Sequence, residues 1–128
     1  MKKITLLFLL IGLLFVSGLH AQTYRYEPEQ VSLYGTLVSM PGETADGKKY
    51  MYPAIQLFTP ISVQAEDEYS PYVGGVLLIQ LNLNNDLMRV FQRLKGKQVN
   101  MTGTLFHSHT GWHQTPVLIT VSDIAESK

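Results

Sequence analysis

The chain has 128 residues, 45% of them hydrophobic, with ten Lys and Arg against ten Asp and Glu and no cysteine. That length suits one domain with a core of its own. The missing cysteines exclude disulfides, thiol chemistry and thiolate metal sites, and the chain lacks the basic excess that marks most nucleic-acid binders.

The N-terminus opens with the cationic Met1-Lys2-Lys3. Ile4 to Val16 is apolar, broken only by Thr5 and Gly12, and the small segment Ser17 to Ala21 follows. Cationic start, short apolar middle and small residues at the end are the pattern of a secretory signal. Cleavage is expected after Ala21, with residues 1–21 removed and Gln22 as the mature start. The apolar run is shorter than the ~20 residues that cross a bilayer, so no membrane span is expected after cleavage. No Cys follows the run, which excludes a lipoprotein anchor. The protein is therefore expected in the periplasm or outside the cell. Lys2 and Lys3 leave with the signal, so eight basic residues face ten acidic ones and the mature domain carries a net charge of −2. On that balance nucleic acid is not expected as a partner.

Residues 22–30 are polar and read as a leader, with the folded domain over 31–125. Val31 to Met40 alternates as a strand. Pro41-Gly42 and Ala45 to Lys48 carry turn chemistry. Tyr50 to Phe58 reads as a second strand that Pro60 ends. Gln64 to Gly75 reads as a long exposed loop. Val76 to Leu83 is a third strand, nearly continuous in apolar residues and so expected to be buried on both faces. Asn84 or Asn85 offers an N-cap, and Leu87, Val90, Phe91 and Leu94 form one stripe of a short helix that Gly96 ends. Gln98 to His107 and Val117 to Ile124 are the last two strands.

Strand, strand, strand, helix, strand, strand is the order of the OB-fold barrel. The expected fold is all-β with one short helix, an OB-fold-like five-stranded barrel. Gly35 and Gly103 suit the sharp bends such a barrel needs.

The densest chemistry lies between the last two strands. His107, His109 and His113 fall within seven residues, and the fourth histidine, His20, belongs to the signal. Two residues apart on a strand, His107 and His109 point the same way, and a turn at Thr110-Gly111 swings His113 back towards them. Three converging imidazoles are a candidate site for zinc, copper or nickel, and no other cofactor is implied. The competing reading is structural: His107 shares the parity of Val99, Met101 and Leu105, and a histidine there can simply bond a backbone carbonyl or a nearby threonine. A nucleophilic set of Ser108, His109 and Asp123 is opposed by geometry, because Ser108 alternates to the face opposite its flanking histidines. Gly-x-Ser-x-Gly, phosphate-loop and dinucleotide motifs are all missing, so no enzyme is expected. Trp112 at the hairpin tip is either an exposed contact anchor or a lid over the barrel mouth. With Tyr69 and Tyr72 from the long loop it forms the candidate ligand surface, beside the loops that flank the usual OB-fold binding face.

The hairpin resembles a family of bacterial exported domains of unassigned function, whose signature reads Gly-Thr-Leu-Phe-His-x-His-Thr-Gly-x-His-x-Thr-Pro-Val. The chain matches it at Gly103, Thr104, Leu105, Phe106, His107, His109, Thr110, Gly111, His113, Thr115, Pro116 and Val117, and more loosely over Val31 to Leu37. Family members often carry a more histidine-rich turn, where this chain has Trp112 and Gln114. The resemblance implies no catalytic residue. The function expected is a non-enzymatic envelope binding module that contacts a protein, peptide or glycan. The alternative is a metal-binding domain using the three histidines.

Overall fold

The computed structural model describes residues 22–127; the signal sequence expected over 1–21 lies outside them. Six strands and one helix follow in chain order: β1 (Gln22–Tyr24), β2 (Gln30–Glu43), β3 (Lys49–Val63), β4 (Val73–Asn82), α1 (Asn85–Leu94), β5 (Gln98–His107) and β6 (Val117–Glu126). The sheet runs β1-β3-β2-β5-β6-β4, and a further β3–β4 pairing closes it, with β1 outside the closure. Five strands thus close into a ring in which β4 and β6 run parallel and the other neighbours antiparallel. With α1 between the third and fourth ring strands, this is the OB topology.

The core follows from period-two alternation. On β2, Val31, Leu33 and Leu37 are buried while Ser32 and Tyr34 are exposed. Leu37, Ile55, Ile79, Val99, Met101, Leu105, Val117 and Ile119 are fully enclosed, so side chains fill the barrel. Helix α1 packs against β6 and adds Phe91 and Leu94 to this core. Its N-cap is Asn84, whose side chain accepts from the Leu87 N–H at 2.8 Å. Gly96 follows the helix in a left-handed conformation, at φ 87°.

Glycine marks where the backbones crowd. A Cβ on Gly35 would stand 2.3 Å from the Gln56 carbonyl oxygen, and one on Gly103 would stand 2.2 Å from that of Thr120. At Gly35, β2 passes from β5, which it pairs over residues 30–36, to β3, which it pairs over 35–43. At Gly103 the β5–β6 register shifts by one residue.

Four stretches depart from the sequence reading. The apolar run Val76 to Leu83, expected to be buried on both faces, leaves Leu77 48% exposed. Residues 22–30, expected as a polar leader, belong to the fold: β1 pairs with β3, and Tyr26 is 2% exposed, bridges to Leu105 and donates its hydroxyl to the Pro71 carbonyl at 2.7 Å. Pairing rather than composition decides there, because a short polar strand finds its ladder on the edge of β3. Pro41-Gly42, read as a turn, lies inside β2 opposite Met51 and Tyr50. Beyond Leu37, which bonds Gly96 and Lys97, that strand has no ladder partner on its other side among the described residues, so the missing proline N–H leaves nothing unbonded. Pro60 does not end β3, which continues to Val63. The β3–β4 ladder breaks between Gln56 and Ile61, and Pro60 sits in the break.

Candidate functional site

β5 ends at His107 and β6 begins at Val117, and the loop between them is closely bonded. The Ser108 N–H donates to the Pro116 carbonyl at 2.9 Å and closes its base. Within it, the Nδ1 of His113 accepts the N–H of His109 at 2.9 Å and that of Thr110 at 3.3 Å. An imidazole nitrogen that accepts must be unprotonated, so the turn is capped by a neutral histidine carrying its proton on Nε2. Burial first, and the neighbouring His109 second, hold the His113 pKa below its ordinary value. The two rings meet edge to face at 4.7 Å between centroids, and both lie against Phe106.

A polar brace ties this loop to the barrel. Gln80, on β4, is buried. Its side chain accepts the Gln114 N–H at 2.6 Å and donates to the Trp112 carbonyl at 3.1 Å, while its own N–H donates to the Thr115 hydroxyl at 3.0 Å. That hydroxyl in turn donates to the Val117 carbonyl at 2.7 Å. The Gln114 side chain bonds the backbone N–H and C=O of Glu43, at 3.1 and 2.9 Å. The loops 44–48 and 108–116 are thereby latched together.

Trp112 stands on this braced loop and is 52% exposed. Its ring meets Tyr50 edge-on at 5.1 Å, the Tyr50 hydroxyl bonds the Trp112 carbonyl, and the Lys48 ammonium lies 6.0 Å from the indole centroid. The outcome is an aromatic edge with one cation, held by hydrogen bonds that leave its outer face open.

The three imidazoles do not converge. His107 is half-buried, with Nδ1 3.1 Å from the Ser108 carbonyl and its ring edge-on to Tyr26 at 6.5 Å. This bond to a carbonyl is the structural reading of His107. The chain leaves the strand at Ser108, so the alternation that would align His107 with His109 stops short of His109. The Nδ1 of His113 is occupied by the turn. Among the described residues no group of three or more His, Cys, Asp or Glu side chains is placed to hold a metal ion.

On the other flank of the loop, Glu27, Tyr69, Asn82, Phe106, His107 and His109 line an open cleft of about 370 Å³. Tyr69 is 79% exposed at its rim. Tyr72 does not line it, and its hydroxyl lies 3.4 Å from that of Ser62. His107, His109 and Tyr69, singled out in the sequence, line this cleft; Glu27, Asn82 and the Gln80–Gln114–Thr115 brace were not singled out there. The one local signal for the brace was a glutamine inside the apolar run Val76 to Leu83.

Residues 78–125 match the family model described as Domain of unknown function (DUF4431). That stretch runs from β4 through α1 and the braced loop into β6. No curated protein matches the chain. Among solved structures, the chain is similar to the small single-stranded DNA-binding protein from Streptomyces coelicolor, at 14% identity and a TM-score of 0.38, over 79% of this chain and 95% of that one. The exclusion of nucleic acid made from net charge is withdrawn. The exclusion was physically weak: net charge is a sum over the whole surface, whereas single strands are held by local aromatic platforms and a few cations.

Proposed function

We propose that the protein is a non-enzymatic binding module of the bacterial envelope that docks a protein, peptide or glycan on the edge formed by Trp112, Tyr50 and Lys48. The observation that carries this reading is the combination at Trp112: a backbone fixed by the Gln80 and Tyr50 hydrogen bonds and a ring left half exposed. A large aromatic that is already ordered loses little entropy on binding, which is why such residues serve as anchors.

Trp112 is the only tryptophan in the chain, so its emission reports on this edge alone. Soluble cell-wall glycan fragments, unstructured peptides and an oligothymidylate are to be titrated in parallel. A saturable emission change with a glycan or peptide is the expected result. Calorimetry on Trp112→Ala should then show binding at least about tenfold weaker, about 1.4 kcal/mol, at an unchanged melting temperature. Response to the oligonucleotide alone would make the module a single-strand binder and overturn the envelope reading. Unchanged affinity in Trp112→Ala would remove the edge from the site.

A further inference from the structure

The cleft on the opposite flank of the loop has a different chemistry from the Trp112 edge. Its one charged lining group is the carboxylate of Glu27; neither Lys nor Arg lines it. Among the described residues the ion pairs are Arg89–Asp86 and Lys97–Glu126, so Glu27 has no cationic partner. In its neutral form His107 contributes a further acceptor: a carbonyl can only accept, so the contact with the Ser108 oxygen puts the proton of the neutral ring on Nδ1 and leaves the lone pair on Nε2. Asn82 offers its side-chain oxygen while its amide nitrogen lies 3.5 Å from the Thr120 hydroxyl. Tyr69 and Phe106 supply apolar ring faces.

The walls are built independently of any ligand. The Tyr26 hydroxyl holds the Pro71 carbonyl at 2.7 Å, and the Asp67 carboxylate caps the N–H groups of Tyr69 and Ser70, each at 2.9 Å. Tyr69 is thus presented by an ordered loop, and Tyr26 also packs against His107. At about 370 Å³ the cleft stands near the lower end of the roughly 300–1,000 Å³ range of small-molecule sites.

We propose that this cleft binds a hydroxylated organic amine, of the size and chemistry of an amino sugar with a free ammonium group. The ammonium pairs with Glu27 and with the Nε2 acceptor of His107. The hydroxyls meet Asn82 and Thr120, and the apolar face of the ring lies against Tyr69 and Phe106. Cations gain from aromatic faces as well as from the carboxylate, whereas an anion finds neither Lys nor Arg here.

The test is NMR titration of the purified chain with glucosamine, with N-acetylglucosamine as the neutral counterpart. Glucosamine should shift the His107 and His109 imidazole signals and the Phe106 ring signals. Glu27→Gln keeps the backbone and the exposed position and should weaken glucosamine binding at least about tenfold, since the charge-assisted pair with the ammonium is lost. Tyr69→Ala, also at an exposed position, should weaken it severalfold. Trp112→Ala should leave it unchanged, which separates this site from the Trp112 edge. Equal affinity for the two sugars, unchanged binding in Glu27→Gln, or imidazole signals that do not move would each overturn the proposal.

Discussion

The capped turn at His113 makes a prediction about pH. The native turn needs a neutral imidazole, because protonated Nδ1 would present a proton to two N–H groups that it now accepts. The group facing it is the His109 ring, and a second positive charge there repels the first. The native pKa is lowered, by burial first and His109 second, so in acid the unfolded chain takes up the proton before the folded one does. The stabilisation is therefore complete above the ordinary histidine value of about 6.5 and is lost as pH falls from there through the lowered native value. One of the two bonds is well formed and the other long. At about 0.5–1.5 kcal/mol per bond, discounted for partial solvent exposure, the turn contributes about 1 kcal/mol. In a domain of this size that is about 4 °C in melting temperature.

The assay is thermal unfolding between pH 8 and pH 5 for the wild type and His113→Asn. Asparagine sets a non-titrating oxygen near the place of Nδ1 and can cap the same turn. The variant should match the wild type at pH 8 and retain about 4 °C more of its melting temperature at pH 5. Comparing the two removes the contributions of His107, His109 and the carboxylates, which titrate in both. Identical pH profiles would refute the reasoning, since the cap would then contribute nothing that protonation can take away.

The Gln80 brace predicts that Gln80→Leu destabilises by about 1–3 kcal/mol through the Gln114 N–H left unbonded; in denaturant titrations the same variant should release Trp112 and red-shift its emission. Gly103→Ala should cost at least about 1–3 kcal/mol, measured by chemical unfolding, because the new methyl meets the Thr120 carbonyl and backbone cannot move aside as a side chain can. Asn84→Ala should cost about 1 kcal/mol by removing the cap on the Leu87 N–H, and Asn84→Ser should restore most of it.

What could be read from residues alone was whatever depends on neighbours in sequence. Alternation over Val31 to Leu37 and Gln98 to Leu105, the Leu87–Val90–Phe91–Leu94 stripe, the Asn84 cap and the glycines at 35 and 103 each carry a local signal, and together with element order they define an OB-like barrel. Proline was the misleading signal: Pro41 and Pro60 end a strand only where their missing N–H would have met a partner, and pairing alone decides that.

The candidate site divides along the same line. Histidine spacing drew attention to the hairpin because three of one residue type within seven positions is visible in a string. Whether the imidazoles converge depends on where β5 stops, and a stop at His107 rather than His109 turns a metal-like pattern into a turn cap and a bond to a carbonyl. Residues far apart in the chain gave no such signal. Gln80 meets Gln114, Gln114 meets Glu43, and Tyr26 meets Pro71 because the barrel closes β4 against β6 and lays the first residues beside the end of β5. Local periodicity decides which face of a strand is buried. Only closure of the barrel decides which buried amide meets which loop, and so which side chains stand together at Trp112 and in the cleft beside His107.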